Sequence, residues 1–514
     1  MILDKTWNKK ERKLTISYIN KAGKREFYTK YLAYMKTYEY DEDGPIETWN
    51  GRKCKEVYKN TSEYVPNNFD LLTYLYELPE DLLKKLHAQN FPKLYTFDIE
   101  TEFIPGVFPD PNKAEHKVTA ISLVGPDMSC IVYGLNKMND DSIALFRKRY
   151  LEWICNNEFA KDIMIKNNLH PKVLYQYFEK EEELLIHFFT KIIPRIPVLA
   201  GWNSWAFDLK YLVNRLINLF GKGKAFYYIK KSSPVGEIKQ YSWLMQNGLH
   251  DHCPGPVHSE ILDYMEIVKK YDYSLRPYES YSLDWVASKA VNAHKIKYSH
   301  DLQYLYEHDH EWYYYYNAID SLLVLLIHYK LKSLESPAAV SSVTLCSLSE
   351  SFGQIALTTA NVYHEFYTEG KRVVWDWNAI DRTKRDYKGA FTGCVPGKYS
   401  FNACFDFKSL YPSQIQTCNL SMENFMQKYS EPDSLGRRIP IPWSEEELDN
   451  FRKDPNYFVT VMNHVYKNDK DYCFKIVQAS ILGLRDKYKY TGQKIESQLI
   501  SEIDRLIAEK AELK

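Results

Sequence analysis

Tyr95-Thr96-Phe97-Asp98-Ile99-Glu100-Thr101 closes an apolar run over residues 94–99 with two acids spaced two apart. On a β-strand, side chains two apart leave the same face, so Asp98 and Glu100 are expected side by side. Two adjacent carboxylates repel each other unless a cation holds them. Taken alone, D-x-E on a strand is most often a solvated face. The surroundings alternate strands with helices. Residues 119–124 and 129–133 read as hairpin neighbours of the first strand, and 181–193 as a helix. Residues 198–202 read as a short buried strand feeding a helix from Asp208. That pattern is α/β layering.

Two more segments carry candidate chemistry. Gly201-Trp202-Asn203-Ser204-Trp205-Ala206-Phe207-Asp208 puts an acid at a strand-to-helix junction, with aromatics to pack beneath it. An ordinary helix N-cap would look the same. Tyr316-Asn317-Ala318-Ile319-Asp320 sets Tyr316 and Asp320 four apart, on one face of a helix. An amphipathic turn within an aromatic stretch is the alternative.

Together, the order and spacing of the three segments resemble the exonuclease motifs of the DnaQ-like (ribonuclease H-like) fold found in proofreading DNA polymerases. The resemblance implies that Asp98, Glu100, Asp208 and Asp320 bind two divalent cations and that Tyr316 orients the attacking water. It also implies that Asn203 and Phe207 meet the DNA strand. Phosphodiester hydrolysis needs an activated water and a stabilised leaving oxygen, which two hard cations about 3.5–4 Å apart provide. Oxygen-only ligation favours Mg²⁺ or Mn²⁺, and no organic cofactor is expected.

Phe405-Asp406-Phe407-Lys408-Ser409-Leu410-Tyr411-Pro412-Ser413 resembles motif A of family B polymerases, D-x-x-S-L-Y-P-S. Residues 399–407 read as a strand ending at Asp406. By the resemblance, Asp406 binds catalytic metal, and the turn through Ser409, Leu410 and Tyr411 offers backbone N–H groups to a nucleoside triphosphate. Tyr411 would lie under the sugar and reject a 2′-hydroxyl. Tyr387-Lys388-Gly389-Ala390 resembles the Y-x-G-G/A segment that contacts template, within a Lys/Arg-rich stretch over 371–398. Arg485-Asp486-Lys487-Tyr488-Lys489 resembles the start of the fingers helices. Arg485 and Lys489 would share a helix face and reach triphosphate oxygens, although plain surface charge fits equally. The family's next motifs, K-x-x-x-N-S-x-Y-G and D-T-D-S, are not found, so primer extension by this chain alone is expected to be very slow or undetectable. Residues 108–115, 201–215 and 261–286 are similar to the polymerases of T-even-type bacteriophages. That similarity covers about residues 94–489 and is weak before them.

The expected fold is therefore α/β and α+β multidomain. The expected parts are an N-terminal domain over 1–93 (with part of 333–385 returning to it), an exonuclease domain over 94–335, a partial palm over 386–474 and the first part of the fingers over 475–514. Local expectations include a strand at 13–19, a helix at 79–88, and a hairpin over 236–258 with Asn247-Gly248 at its turn. In the family such a hairpin helps move a primer end between sites. A break is expected at Ser336-Pro337, then one helix through 341–367, and a long helix over 476–513 with Ile495, Leu499, Ile503, Leu506 and Ile507 on one stripe.

Lys+Arg and Asp+Glu both total 67, so overall charge neither suggests nor excludes a nucleic-acid partner. The nine cysteines form no C-x-x-C pair, which argues against a zinc site and for reduced thiols. No apolar run suits a membrane span or signal peptide, so the expected location is cytoplasmic, the host cytoplasm for a viral protein. The expected partners are DNA (primer-template and a single-stranded 3′ end), dNTP, a second polypeptide carrying the missing motifs, and a sliding clamp. The competing readings are a stand-alone exonuclease from a truncated polymerase and a non-catalytic DNA-binding assembly subunit.

Overall fold

The computed structural model describes residues 1–104, 106–245, 248–298, 301–375, 393, 395–401, 403–407, 409–431 and 439–512. Tyr387, Gly389 and Asn247 lie outside the described residues. The chain forms two compact units, Met1–Ala33 with Leu75–Leu357, and Tyr34–Tyr74 with Thr358–Lys514. Residues 1–93 contribute to both.

The first unit begins with an antiparallel meander, β1 (Ile2–Asn8), β2 (Lys13–Ile19) and β3 (Arg25–Tyr31). Its main sheet uses β4 (Leu94–Thr101), β5 (Val118–Val124), β6 (Cys130–Gly134), β7 (Val173–Tyr177), β8 (Val198–Gly201) and a later strand, Glu260–Asp263. Strand order is β7-β6-β5-β4-β8 and then Glu260–Asp263. β5 pairs antiparallel with β4 and β6, while β8 runs parallel to β4 and to the last strand. All seven residues of β5 are buried, as a strand covered on both faces must be.

What covers it is helix α1 (His310–Leu331), buried throughout from Tyr313 to Ile327. Such a helix, buried on every side, belongs inside a core. It is seated by short polar contacts rather than by apolar contact alone. Thr96 Oγ1 donates to the Ser321 carbonyl at 2.8 Å, and Ser122 Oγ donates to the Asn317 carbonyl at 2.9 Å. Thr119 Oγ1 and Tyr313 OH share a bond of 2.6 Å. At Gly134 a Cβ would stand 2.5 Å from the Tyr314 ring, so only glycine lets helix and sheet approach this closely.

The hairpin strands β9 (Ile238–Leu244) and β10 (His250–Pro256) form as expected, and Gly248 at the turn has φ 78°. With them in place, the strand Glu260–Asp263 becomes β11. Polar groups tie the N-terminal strands to this region. Arg25 donates to the carbonyls of Pro194, Ile196 and His258 and to Ser259 Oγ. Fully buried His258 sits between Thr6 Oγ1 at 2.8 Å and Ser17 Oγ at 2.7 Å, and Lys239 on β9 bridges Asp4 and Glu260.

Several local expectations need correction. Ser336-Pro337 does not break the chain. A helix starts at Glu335, and Pro337 falls in its first turn, where its missing N–H costs nothing. The single helix expected over 341–367 is two, Glu335–Thr344 and Gln354–Thr368, separated where Leu345 turns left-handed at φ 55°. The helix expected from Asp208 begins earlier, as a π-turn over Trp205–Leu209.

In the second unit, Tyr34–Tyr40 and Ile46–Glu47 flank Lys53–Asn60 in an antiparallel sheet. Arg372 joins it through its N–H to the Glu47 carbonyl at 3.0 Å and its Nε to Tyr38 OH at 3.1 Å. Leu410–Thr417 packs on the long helix Cys473–Glu512. Among the described residues of 399–407 there is no strand. Phe401, Phe405 and Phe407 are 96%, 91% and 74% exposed, and a strand needs a hydrogen-bonded neighbour that the described residues do not offer. Among the described residues no helix is long and apolar enough to cross a membrane.

Gly134→Val should cost about 1–3 kcal/mol through overpacking against Tyr314. Denaturant unfolding followed by tryptophan fluorescence would measure it, and an unchanged midpoint would contradict the close approach described here.

Candidate metal centre

On β4 the two-residue period separates chemistry from packing. Phe97 and Ile99 are 1% and 5% exposed in the core, while Asp98 and Glu100 point the other way. α1 lies against that face and brings Asp320 to it. Carboxylate oxygens of Asp98, Glu100 and Asp320 all lie within 4.8 Å of one another. Asp208 arrives from the π-turn and accepts a bond from the Ile99 backbone N–H at 3.3 Å, between the two acids of β4.

Burial is the first cause of the raised pKa values here, and at Asp98 and Glu100 repulsion from the neighbouring acids adds to it. Asp98 stands well above the usual carboxylate range, Glu100 is pushed up to about 8 and Asp208 to about 7. Asp320 is raised by burial and partly relieved by Lys295, whose Nζ lies 2.6 Å from Asp320 Oδ2. That same ammonium donates to Tyr316 OH at 3.3 Å, and Tyr298 packs edge-on against Tyr316 at 5.4 Å. Asn317 Nδ2 donates to Asp98 Oδ2 at 2.8 Å and fixes its rotamer. Asp320 Oδ1 is buried without a hydrogen-bond partner. Three converging carboxylates, an orphaned oxygen and no nitrogen or sulfur donor in the cluster together fit a hard divalent cation.

Asp98, Glu100, Asp208, Asp320 and Tyr316 are thus brought together. Asn203 and Phe207 lie on the loop and π-turn leading to Asp208. Asn203 has φ 63°, and the Phe207 ring is 6.2 Å from that of Phe108, which is 83% exposed. Lys295, Asn317 and Phe108 carried no role in the sequence reading. Asn317 could have been flagged by its place inside the third motif. Lys295 sits in an irregular loop, where the bond from its N–H to Asp284 Oδ1 at 2.7 Å holds it, and no spacing rule reveals that.

The polymerase-type residues are less converged. Asp406 is exposed and not at a strand end, and Tyr411 is 72% exposed. Ser409, left-handed at φ 52°, precedes the helix Leu410–Thr417. Ser409, Ser413 and Gln416 face Asp486 across a cleft of about 300 Å³ in the second unit. Arg485 and Lys489 are exposed on the long helix outside that lining, and Arg485 meets Asp486 at 3.8 Å.

Because the folded-state pKa of Glu100 is raised, the sign of its linkage is fixed. Ionising it costs the fold nothing below the ordinary value of 4.5, and the cost grows as pH rises toward about 8. Glu100→Gln should therefore raise the melting temperature of the metal-free protein at pH 8 by a few degrees and leave it unchanged at pH 4. Calorimetry at both pH values checks this, and an equal effect at both would rule out ionisation as its cause.

Residues 56–286 match the family described as DNA polymerase family B, exonuclease domain. The match includes Asp98, Glu100 and Asp208. Tyr316 and Asp320 lie beyond it and join the site through α1. The chain is 28% identical over 359 residues to the DNA-directed DNA polymerase of Escherichia phage RB69, covering 68% of this chain and 37% of that protein. It is 26% identical over 351 residues to that of Enterobacteria phage T4, covering 67% and 37%. DNA polymerase 1 of Saccharolobus solfataricus is 24% identical over 453 residues, covering 80% and 46%. The chain thus spans less than half the length of these relatives. Residues 56–286, which hold the whole main sheet and three of the four carboxylates, thus match the exonuclease domain of the family B DNA polymerases.

Proposed function

We propose that the first unit is a 3′→5′ exonuclease acting on single-stranded DNA ends, with the exonuclease domain taken as residues 94–335. The observation that carries this reading is the convergence of Asp98, Glu100 and Asp320 within 4.8 Å, with Asp208 alongside. These four side chains would hold two Mg²⁺ or Mn²⁺ ions. When bound, such ions lower the pKa of a water and stabilise the leaving oxygen. The chain's own groups do the rest. Tyr316 OH, steadied by Lys295, would orient the attacking water. The Lys295 ammonium would limit repulsion among the acids. Phe108 and Phe207 would offer ring faces on which an unpaired base can stack, with Asn203 beside them.

We assign the second unit a part in nucleotidyl transfer. Residues 386–474 would be part of a palm and 475–514 part of the fingers. Asp406 would hold metal, Ser409, Leu410 and Tyr411 the nucleotide, Arg485 and Lys489 the triphosphate, and Tyr387 and Gly389 the template. A second palm aspartate in a D-T-D-S pattern is not among these 514 residues. Synthesis would then need one supplied by a further polypeptide segment, and a second polypeptide is our reading. Primer-template DNA, dNTP and a sliding clamp complete the partners, in the host-cell cytoplasm.

The protein should degrade a 3′-terminal single strand with Mg²⁺, and the double substitution Asp98→Ala with Glu100→Ala should lower the rate by at least about 10³-fold, the scale on which catalytic groups act. Full activity in the double variant would sink the nuclease assignment. Primer extension by residues 1–514 alone should be undetectable. Extension should appear, and depend on Asp406, when a polypeptide carrying the missing motifs is added. Robust synthesis by the chain alone would overturn the need for a second aspartate.

A further inference from the structure

We propose that Asp263 is a positioning residue for the carboxylate cluster, holding the loop that carries Asp208. The inference deepens the exonuclease reading above and rests on it. Asp263 ends β11 and pairs in register with Gly201 at the end of β8. It is 2% exposed, yet among the described residues it neither belongs to the carboxylate cluster nor pairs with a cation. Instead it gathers backbone N–H groups from two directions. Oδ1 accepts from Asn203 N at 3.1 Å and from Met265 N at 3.1 Å, and Oδ2 accepts from Trp205 N at 3.3 Å.

The loop depends on this carboxylate. Gly201 begins it under close constraint, since a Cβ there would stand 2.8 Å from Ser204 Cβ. Asn203 then takes a left-handed conformation, which carries an energetic cost for a residue with a side chain. The side chains of Ser204 and Trp205 are committed to β11, at the Leu262 carbonyl (3.0 Å) and the Ile261 carbonyl (2.7 Å). The Asn203 and Trp205 N–H groups are thus left to Asp263. From there the path to Asp208 is one turn long. Phe207 N bonds the Asn203 carbonyl at 3.0 Å and Leu209 N bonds the Ser204 carbonyl at 2.8 Å, closing the π-turn that presents Asp208.

The simpler role for Asp263 is to cap the helix Tyr264–Tyr271, whose Met265 and Glu266 N–H groups it accepts. Asp263→Asn separates the two roles. Asparagine caps helices as well as aspartate, but it has one acceptor oxygen: in the Oδ1 place that oxygen keeps the cap and the Asn203 bond, and the NH₂ then faces the Trp205 N–H, so that loop bond is lost. A cap alone would tolerate the change. A loop anchor would not.

The test uses the full chain with Mn²⁺ binding, read by electron paramagnetic resonance, and single-strand hydrolysis against Mg²⁺ concentration. Groups that orient metal ligands typically contribute roughly 10- to 100-fold in metal affinity or activity. Asp263→Asn is expected to weaken Mn²⁺ binding by that factor and to move the Mg²⁺ dependence of hydrolysis upward, with recovery at saturating metal. Circular dichroism and melting temperature should stay near those of the parent chain. Parental Mn²⁺ affinity in the variant would overturn the proposal, as would a loss that merely tracks the unfolded fraction. If the parent chain itself neither cuts DNA nor binds Mn²⁺ through Asp98 and Glu100, the exonuclease reading fails instead.

Discussion

Like charges crowded into a poorly solvated pocket dominate this molecule. Asp98, Glu100 and Asp320 stand within 4.8 Å of one another, and burial weakens the solvent that would otherwise screen them. Left to itself, such a cluster would take up protons or push its supports apart. The raised pKa values show that it does hold protons more tightly, but its supports stay in place, because α1 is bound to the sheet through Thr96, Ser122 and Thr119, and Lys295 brings one compensating charge. Unrelieved repulsion in a rigid frame is what creates affinity for a doubly charged ion. The frame therefore carries as much of the chemistry as the acids do.

That frame is built from groups with little chemical character of their own. Asn317 sets the rotamer of Asp98, and the backbone N–H of Ile99 meets Asp208. A glycine at position 134 lets a Tyr-rich helix sit against the sheet. Asp98 and Asp208 are thus held by an amide and a backbone group, which can orient a carboxylate without neutralising it. Lys295 is the exception, and it touches the acid that α1 contributes.

Much of this was legible in the chain. The two-residue period of 94–101 and the four-residue spacing of Tyr316 and Asp320 follow from strand and helix geometry, so the elements and the facing of their acids could be read directly. Lys295 could not, because its position follows from a loop pinned to Asp284 rather than from any repeat. The misreadings share a cause. Pro337 and the strand expected at 399–407 were judged on local preference, whereas the outcome depends on whether a position needs an N–H or finds a neighbouring strand. The role of residues 1–33 was also invisible, since no motif marks a segment whose partners are buried polar groups far along the chain.

Those partners set an order of events. Arg25 reaches Ile196 and His258, which lie 171 and 233 positions later, and Thr6 meets His258 across 252. Strands β1 to β3 therefore wait for hydrogen-bonding partners made much later in the chain, and closing so long a loop is slow. Until about residue 260 has emerged, Asp4 on β1 and Arg25 on β3 lack these partners. Docking of β1 to β3 is thus tied to synthesis of the chain through Glu260, and a nascent chain interrupted before that point would lack the groups that Asp4 and Arg25 bind.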